Sequence, residues 1–197
     1  MITLKRFRQL EAILRERGYG PTIDWTESIQ PATTAEDFAE RAIYVICNSG
    51  MANAAANVIY QRCLAALYDG VAVASVFRHP GKAPAIERIW ADREQLFAAY
   101  SDADDPIAAL EALPWIGAVT ALHLAKNLGA NVAKPDVHME RLARAENTTT
   151  AALCERLSRE TDYRVATIDT ILWRACADRI LQSAVYEAEG WRAAFKP

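Results

Sequence analysis

Apolar residues that recur every three or four positions constrain this chain more than any other feature, because only a helix brings such residues onto one face. Ile86, Ile89, Trp90, Phe97 and Tyr100 follow that spacing over 85–100, and Val165, Ile168, Ile171, Leu172, Ala175 and Ile180 follow it over 165–182. Segments 36–47 and 52–68 are rich in alanine, which favours a helix, and Asn48, Ser49 and Gly50 break them apart. Thr33 and Thr34 ahead of Glu36 and Asp37 give a helix-start signature. Further breaks fall at 18–21, Pro31, Gly70, Pro80-Gly81 and 104–106. No stretch alternates as a strand would and no segment repeats, so the expectation is an all-α fold. Trp90, Phe97 and Trp173 read as core residues.

The chain has 197 residues, 52% of them hydrophobic and 24% charged, which suits one ordinary domain or two small helical lobes sharing a core. No apolar run reaches the ~20 residues that cross a bilayer. The first six residues are Met-Ile-Thr-Leu-Lys-Arg, without the apolar stretch of a secretory signal, and a cytoplasmic location is expected. Cys47, Cys63, Cys154 and Cys176 form no CxxC pair, which speaks against a zinc or iron–sulfur site. They read as buried, reduced thiols.

The net charge of -3 argues mildly against a nucleic-acid partner. The charges are uneven, however. Lys5, Arg6, Arg8, Arg15 and Arg17 cluster near the start, Arg78, His79 and Lys82 form a short basic loop, and Lys126, Lys134, His138, Arg141 and Arg144 crowd one segment. Each run is either part of a basic face or an ordinary solvated helix face, and charge leaves both open.

Segment 113–144 carries the most information. It reads as a helix ending near Leu113, a tight turn at 114–117, and a second helix from about 118 to 128 stopped by Gly129. A short loop then reaches Lys134-Pro135, and a third helix starts at or near Asp136. A turn at a helix start presents unpaired N–H groups that can hold one phosphate. Gly117 suits such an approach. Taken alone, the turn reads as a plain helix–helix connection, and Asp136 as a plain N-cap.

Taken together, the two halves resemble the helix-hairpin-helix DNA glycosylase superfamily. Leu113-Pro114-x-Ile116-Gly117-x-x-Thr120-Ala121 is similar to its hairpin signature, and Asp136-Val137-His138-Met139 to its catalytic segment, closest to the form in 8-oxoguanine DNA glycosylases. Ile46-Cys47-x-Ser49 resembles the helix break from which that group inserts side chains into DNA, and Lys82-Ala83-x-x-Ile86 the helix ahead of the hairpin. The likeness is sharp over 113–144 and weaker over 40–112. It implies one domain over 1–197, two-lobed with a cleft, with the hairpin at about 107–128 and the catalytic segment at 134–144.

The resemblance implies a base-excising enzyme with Asp136 as its catalytic carboxylate. It implies DNA contacts at Pro114, Trp115, Gly117, Val119, Thr120, Lys134 and His138. It places the base pocket or wedge among Tyr44, Asn48, Met51, Asn53, Asp169 and Trp173. The residues themselves leave His138 open as a structural histidine, Met51 as core filler and Asp169 as a first-turn helix residue. The partner implied is DNA, met by a monomer associated with the nucleoid. No cofactor is implied, beyond a structural monovalent or divalent cation at the hairpin.

Three departures shape the reading. Members that also cut the strand carry a lysine where this chain has Val119, and valine forms no Schiff base, so a water-using, monofunctional enzyme is expected. Lys126 and Lys134 are the alternative lysines. Trp115 stands where the family usually has glycine, and Gly50-Met51-Ala52 replaces the polar wedge. The competing readings are a repair glycosylase, a glycosylase for enzymatically modified, phage-type pyrimidines, a non-catalytic DNA-binding hairpin module, and an unrelated helical protein.

Overall fold

Thr3, Thr34, Asp105, Asp136 and Thr149 each turn a side-chain oxygen onto a backbone N–H and open a helix in the computed structural model. These are the residue types that satisfy the orphan donors of a first turn. The structure describes residues 1–197, apart from the side chain of Asn53. The fold is all-α; extended pairing among the described residues is confined to an isolated bridge between Leu181 and Phe195.

The chain divides into two compact units. Unit 1 comprises Met1–Ile29 and Ala130–Pro197, and unit 2 comprises Gln30–Gly129. Unit 1 holds α1 (Leu4–Leu14), α2 (Gly20–Ser28), α9 (Val137–Ala145), α10 (Thr150–Thr161), α11 (Val165–Ala177), α12 (Ser183–Glu189) and α13 (Trp191–Ala194). Between α1 and α2 the chain makes a widened turn over Arg15–Tyr19, with Gly18 at φ 88. Every residue from Ala166 to Leu172 is buried, so α11 is the central helix, packed by α1, α2, α9 and α10. Phe7, Leu10, Leu14, Met139, Leu142, Leu157 and Ile171 fill the core around it. The stripe read over 165–182 ends earlier as a helix, at Ala177. Ile180 stays buried, because its carbonyl accepts from the Lys196 N–H and the chain folds back there.

Unit 2 holds α3 (Ala35–Asn48), α4 (Asn53–Tyr68), a short turn of helix at Val73–Ser75, α5 (Lys82–Ala91), α6 (Arg93–Ser101), α7 (Pro106–Glu111) and α8 (Ala118–Asn127). α3 is its centre and meets α4, α5, α6 and α8. The stripe over 85–100 is two helices, broken at Asp92. The break lets both halves lie against α3. Ile86 and Ile89 are buried on α5, while Phe97 and Tyr100 on α6 reach Phe38 at ring-centre distances of 5.7 and 5.3 Å. Such aromatic pairs add about 1 kcal/mol beyond burial. All four cysteines are free and buried.

Candidate functional site

In unit 2 the turn between α7 and α8 is anchored by two buried apolar side chains, Leu113 and Ile116. The Leu113 N–H donates to Leu110 O and the Ile116 N–H to Leu113 O, both at 3.1 Å. Between the anchors Pro114 is half-buried and Trp115 is 48% exposed. Trp115 has φ 64, the left-handed backbone that glycine adopts without strain and an indole does not. Its ring packs against Gly81 and lies edge-on to His79 at 5.3 Å.

Gly117 has ordinary extended φ (-110) and a Cβ there would meet nothing within 4 Å. The fold itself therefore demands no glycine at this exposed position. α8 has no side-chain cap, and Ala118 and Val119 are exposed while Thr120 is half-buried. This leaves first-turn N–H groups for an external acceptor, and the helix dipole favours a negative one.

The basic loop before α5 is less basic at its surface than the sequence suggests. His79 Nδ1 accepts from the N–H groups of Gly81 and Lys82, at 3.2 and 3.1 Å, and so caps α5. Lys82 is 3% exposed and turns inward. Its Nζ donates to Ser49 O at 2.5 Å and to Cys47 O at 3.4 Å, where the carbonyls at the end of α3 attract a cation. Burial lowers its pKa from the ordinary lysine value.

Lys82 thus ties down the turn that carries Met51. Met51 is half-buried there, with its N–H on Asn48 O at 3.2 Å. The Asn48 amide donates back to Tyr44 O at 3.0 Å, and Tyr44 meets Tyr60 edge-on at 5.4 Å. The side chain of Asn53 lies outside the described residues.

In unit 1 Asp136 is the N-cap of α9. Its Oδ1 accepts from the N–H groups of His138 and Met139, at 2.9 and 3.1 Å; among the described residues Oδ2 accepts no hydrogen bond. The carboxylate is half-buried, as are Lys134 and Pro135 before it. The Asp136 N–H donates to Lys134 O at 2.9 Å, which tightens the approach to the helix. Cys176 on α11 is close enough to feel this charge: burial first, and Asp136 second, push its thiol up to about 12. His138 Nδ1 hydrogen-bonds Ser183 Oγ at 2.9 Å. Asp169 and Trp173 stand four residues apart on α11 and share a face. Asp169 lies in the second turn of α11, not the first, and is 1% exposed. Trp173 is half-buried beneath the Arg174 guanidinium, 4.7 Å from the ring centre.

The proposed site residues thus fall in two groups. Pro114, Trp115, Gly117, Val119, Thr120, Tyr44, Asn48 and Met51 belong to unit 2; Lys134, Asp136, His138, Asp169 and Trp173 belong to unit 1. Sequence reasoning did not single out Ser183, whose hydroxyl meets the His138 ring. The spacing of His138 and Arg141 on one helix is legible, but their neighbours arrive from other elements. Among the described residues no group of three or more His, Cys, Asp or Glu side chains is placed to hold a metal ion, and no helix is long and apolar enough to cross a membrane.

No family model, no curated protein and no solved structure matches the chain. The fold and site define an all-α protein of two helical units, one presenting an uncapped helix hairpin and the other a carboxylate at the head of a helix.

Proposed function

We propose that this chain is a monofunctional DNA glycosylase, which flips out a damaged or modified base and hydrolyses its N-glycosidic bond with Asp136. The observation that carries the reading is the backbone at position 115. The resembled hairpin usually has glycine there, and the turn keeps a glycine's left-handed φ of 64 although the residue is tryptophan. Holding a non-glycine residue in that region costs ~1–2 kcal/mol. The exposed, uncapped start of α8 supports the same reading, as a seat for one backbone phosphate that positions DNA without reading its sequence.

In this reading unit 2 supplies the hairpin and unit 1 the chemistry. A stacked base is out of reach, so the nucleotide leaves the duplex at a cost of a few kcal/mol. As the glycosidic bond breaks, positive charge builds on the sugar. The ionised Asp136 stabilises that charge and orients the attacking water. Two N–H donors fix Oδ1, which leaves Oδ2 for the water. Water adds to the sugar carbon, the base departs with a proton, and an abasic site remains. Val119 offers no amine for a covalent intermediate.

The test is a panel of labelled duplexes carrying oxidised purines, alkylated purines, uracil, or hydroxymethylated and glycosylated pyrimidines, followed by alkali. Alkali-dependent cleavage of one duplex, lost in Asp136→Asn, is expected. Cleavage without alkali overturns the monofunctional assignment. Salt-sensitive binding with no cleavage across the panel favours a non-catalytic DNA-binding module instead.

A further inference from the structure

A pocket of about 470 Å³ opens in unit 1, lined by residues of α9, the end of α11 and the start of α12. That volume lies within the ~300–1,000 Å³ usual for small-ligand sites. His138 and Arg141 stand three residues apart on α9 and share a face. Arg179, Gln182 and Ser183 complete the polar lining, and no carboxylate is among the lining residues. The Ser183 hydroxyl holds the His138 ring at Nδ1. Arg141 is only loosely occupied: Glu187 lies 4.0 Å from it but 2.8 Å from Arg144.

Arg179 adds an independent observation. It follows the last turn of α11 at φ 58, a position and conformation where glycine is the usual, strain-free choice. Backbone strain retained at an arginine that lines a pocket points to use of its side chain. The Asp136 charge is felt at Cys176 in the same wall, and the guanidinium groups of Arg141 and Arg179 act against it.

We propose that this pocket binds the phosphate of a nucleotide, gripped by Arg141 and Arg179 with help from His138 and Ser183. The planar guanidinium fork matches phosphate oxygens, and the remaining volume accommodates a sugar. The phosphate comes either from a free nucleoside monophosphate or from the diester of a DNA strand. The inference stands whether or not the protein excises bases.

Calorimetry with inorganic phosphate, thymidine 5′-monophosphate and thymidine, together with anisotropy of a labelled oligonucleotide, tests it on the full chain. Binding of a phosphate-bearing probe but not of thymidine is expected. Arg141→Gln and Arg179→Gln should each weaken it about tenfold or more, as loss of a charged hydrogen bond does. Arg179→Lys should retain part of the affinity, and circular dichroism should report unchanged helicity. Binding of the monophosphate without the oligonucleotide, lost in the glutamine variants, identifies a free ester as the source; binding of the oligonucleotide alone, weakened by the same variants, identifies the strand. Wild-type affinity in both glutamine variants, or no phosphate-bearing probe bound by the wild type, overturns the proposal. Asp136→Asn separates it from the glycosylase reading: excision is lost there, whereas phosphate binding is kept or strengthened, because a charge that opposes an anion at this wall is removed.

Discussion

The indole of Trp115 occupies the volume that a side chain on Gly81 would need: a Cβ there would fall 2.0 Å from the ring. The ring is 48% exposed and has solvent to move into. Gly81→Ala should therefore swing the indole out rather than unfold unit 2, with a stability loss within the ~1–3 kcal/mol of overpacking and at its low end. Acrylamide quenching of tryptophan fluorescence, read against a Trp115→Phe background, should rise. If the hairpin seats DNA, affinity for duplex should fall in the same variant.

Asp136 has an N-capping role and a proposed chemical one, and the two are separable. As an N-cap it accepts two N–H bonds, which asparagine also does. As a charged group it has no neutral substitute. Asp136→Asn should melt near the wild-type temperature yet lose excision, whereas Asp136→Ala should lose excision and about 1 kcal/mol of stability. Thermal melts alongside the duplex assay check both. An asparagine variant that still excises bases removes the catalytic assignment.

Glu11 gives a pH dependence of known sign. Burial raises its carboxyl, but hydrogen bonds from Tyr163, Arg8 and Arg15, at 2.6, 2.7 and 3.1 Å, outweigh burial and leave it below its ordinary 4.5. Below that value the unfolded chain binds the proton first. The stabilisation is therefore complete above pH 4.5 and lost as pH falls through the folded value. Urea midpoints from pH 7 to 3 should drop less steeply in Glu11→Gln than in the wild type.

Lys82 has the opposite dependence. Burial holds its ammonium below the ordinary 10.5, so the folded state gives up the proton before the unfolded state does. Its charge lowers stability at neutral pH, and that cost is relieved as pH rises towards 10.5. The stability of the wild type relative to Lys82→Met should increase over pH 8 to 10.5, while shared changes from tyrosines and cysteines cancel. Lys82→Ala, which leaves Cys47 O and Ser49 O without this donor, should cost about 2 kcal/mol and loosen the Met51 turn.

What the sequence determined by itself is local. The start of α8 after Gly117, the stop at Gly129 with φ 92, and the cap at Asp136 all follow from residues within a turn of one another. Capping and left-handed turns are settled by the backbone's own hydrogen bonds, so a short segment suffices to read them. Tertiary structure decided everything that joins distant segments. It broke the 85–100 stripe at Asp92, since a straight helix would carry Phe97 and Tyr100 away from Phe38. It turned Lys82 from a surface charge into a buried tie on the end of α3. It also brought Ser183 to His138 across 45 residues and gathered Arg141 and Arg179 around one pocket. Periodicity says which face of a helix is apolar; which partner covers that face, and which polar groups meet at its ends, is fixed only when the helices pack.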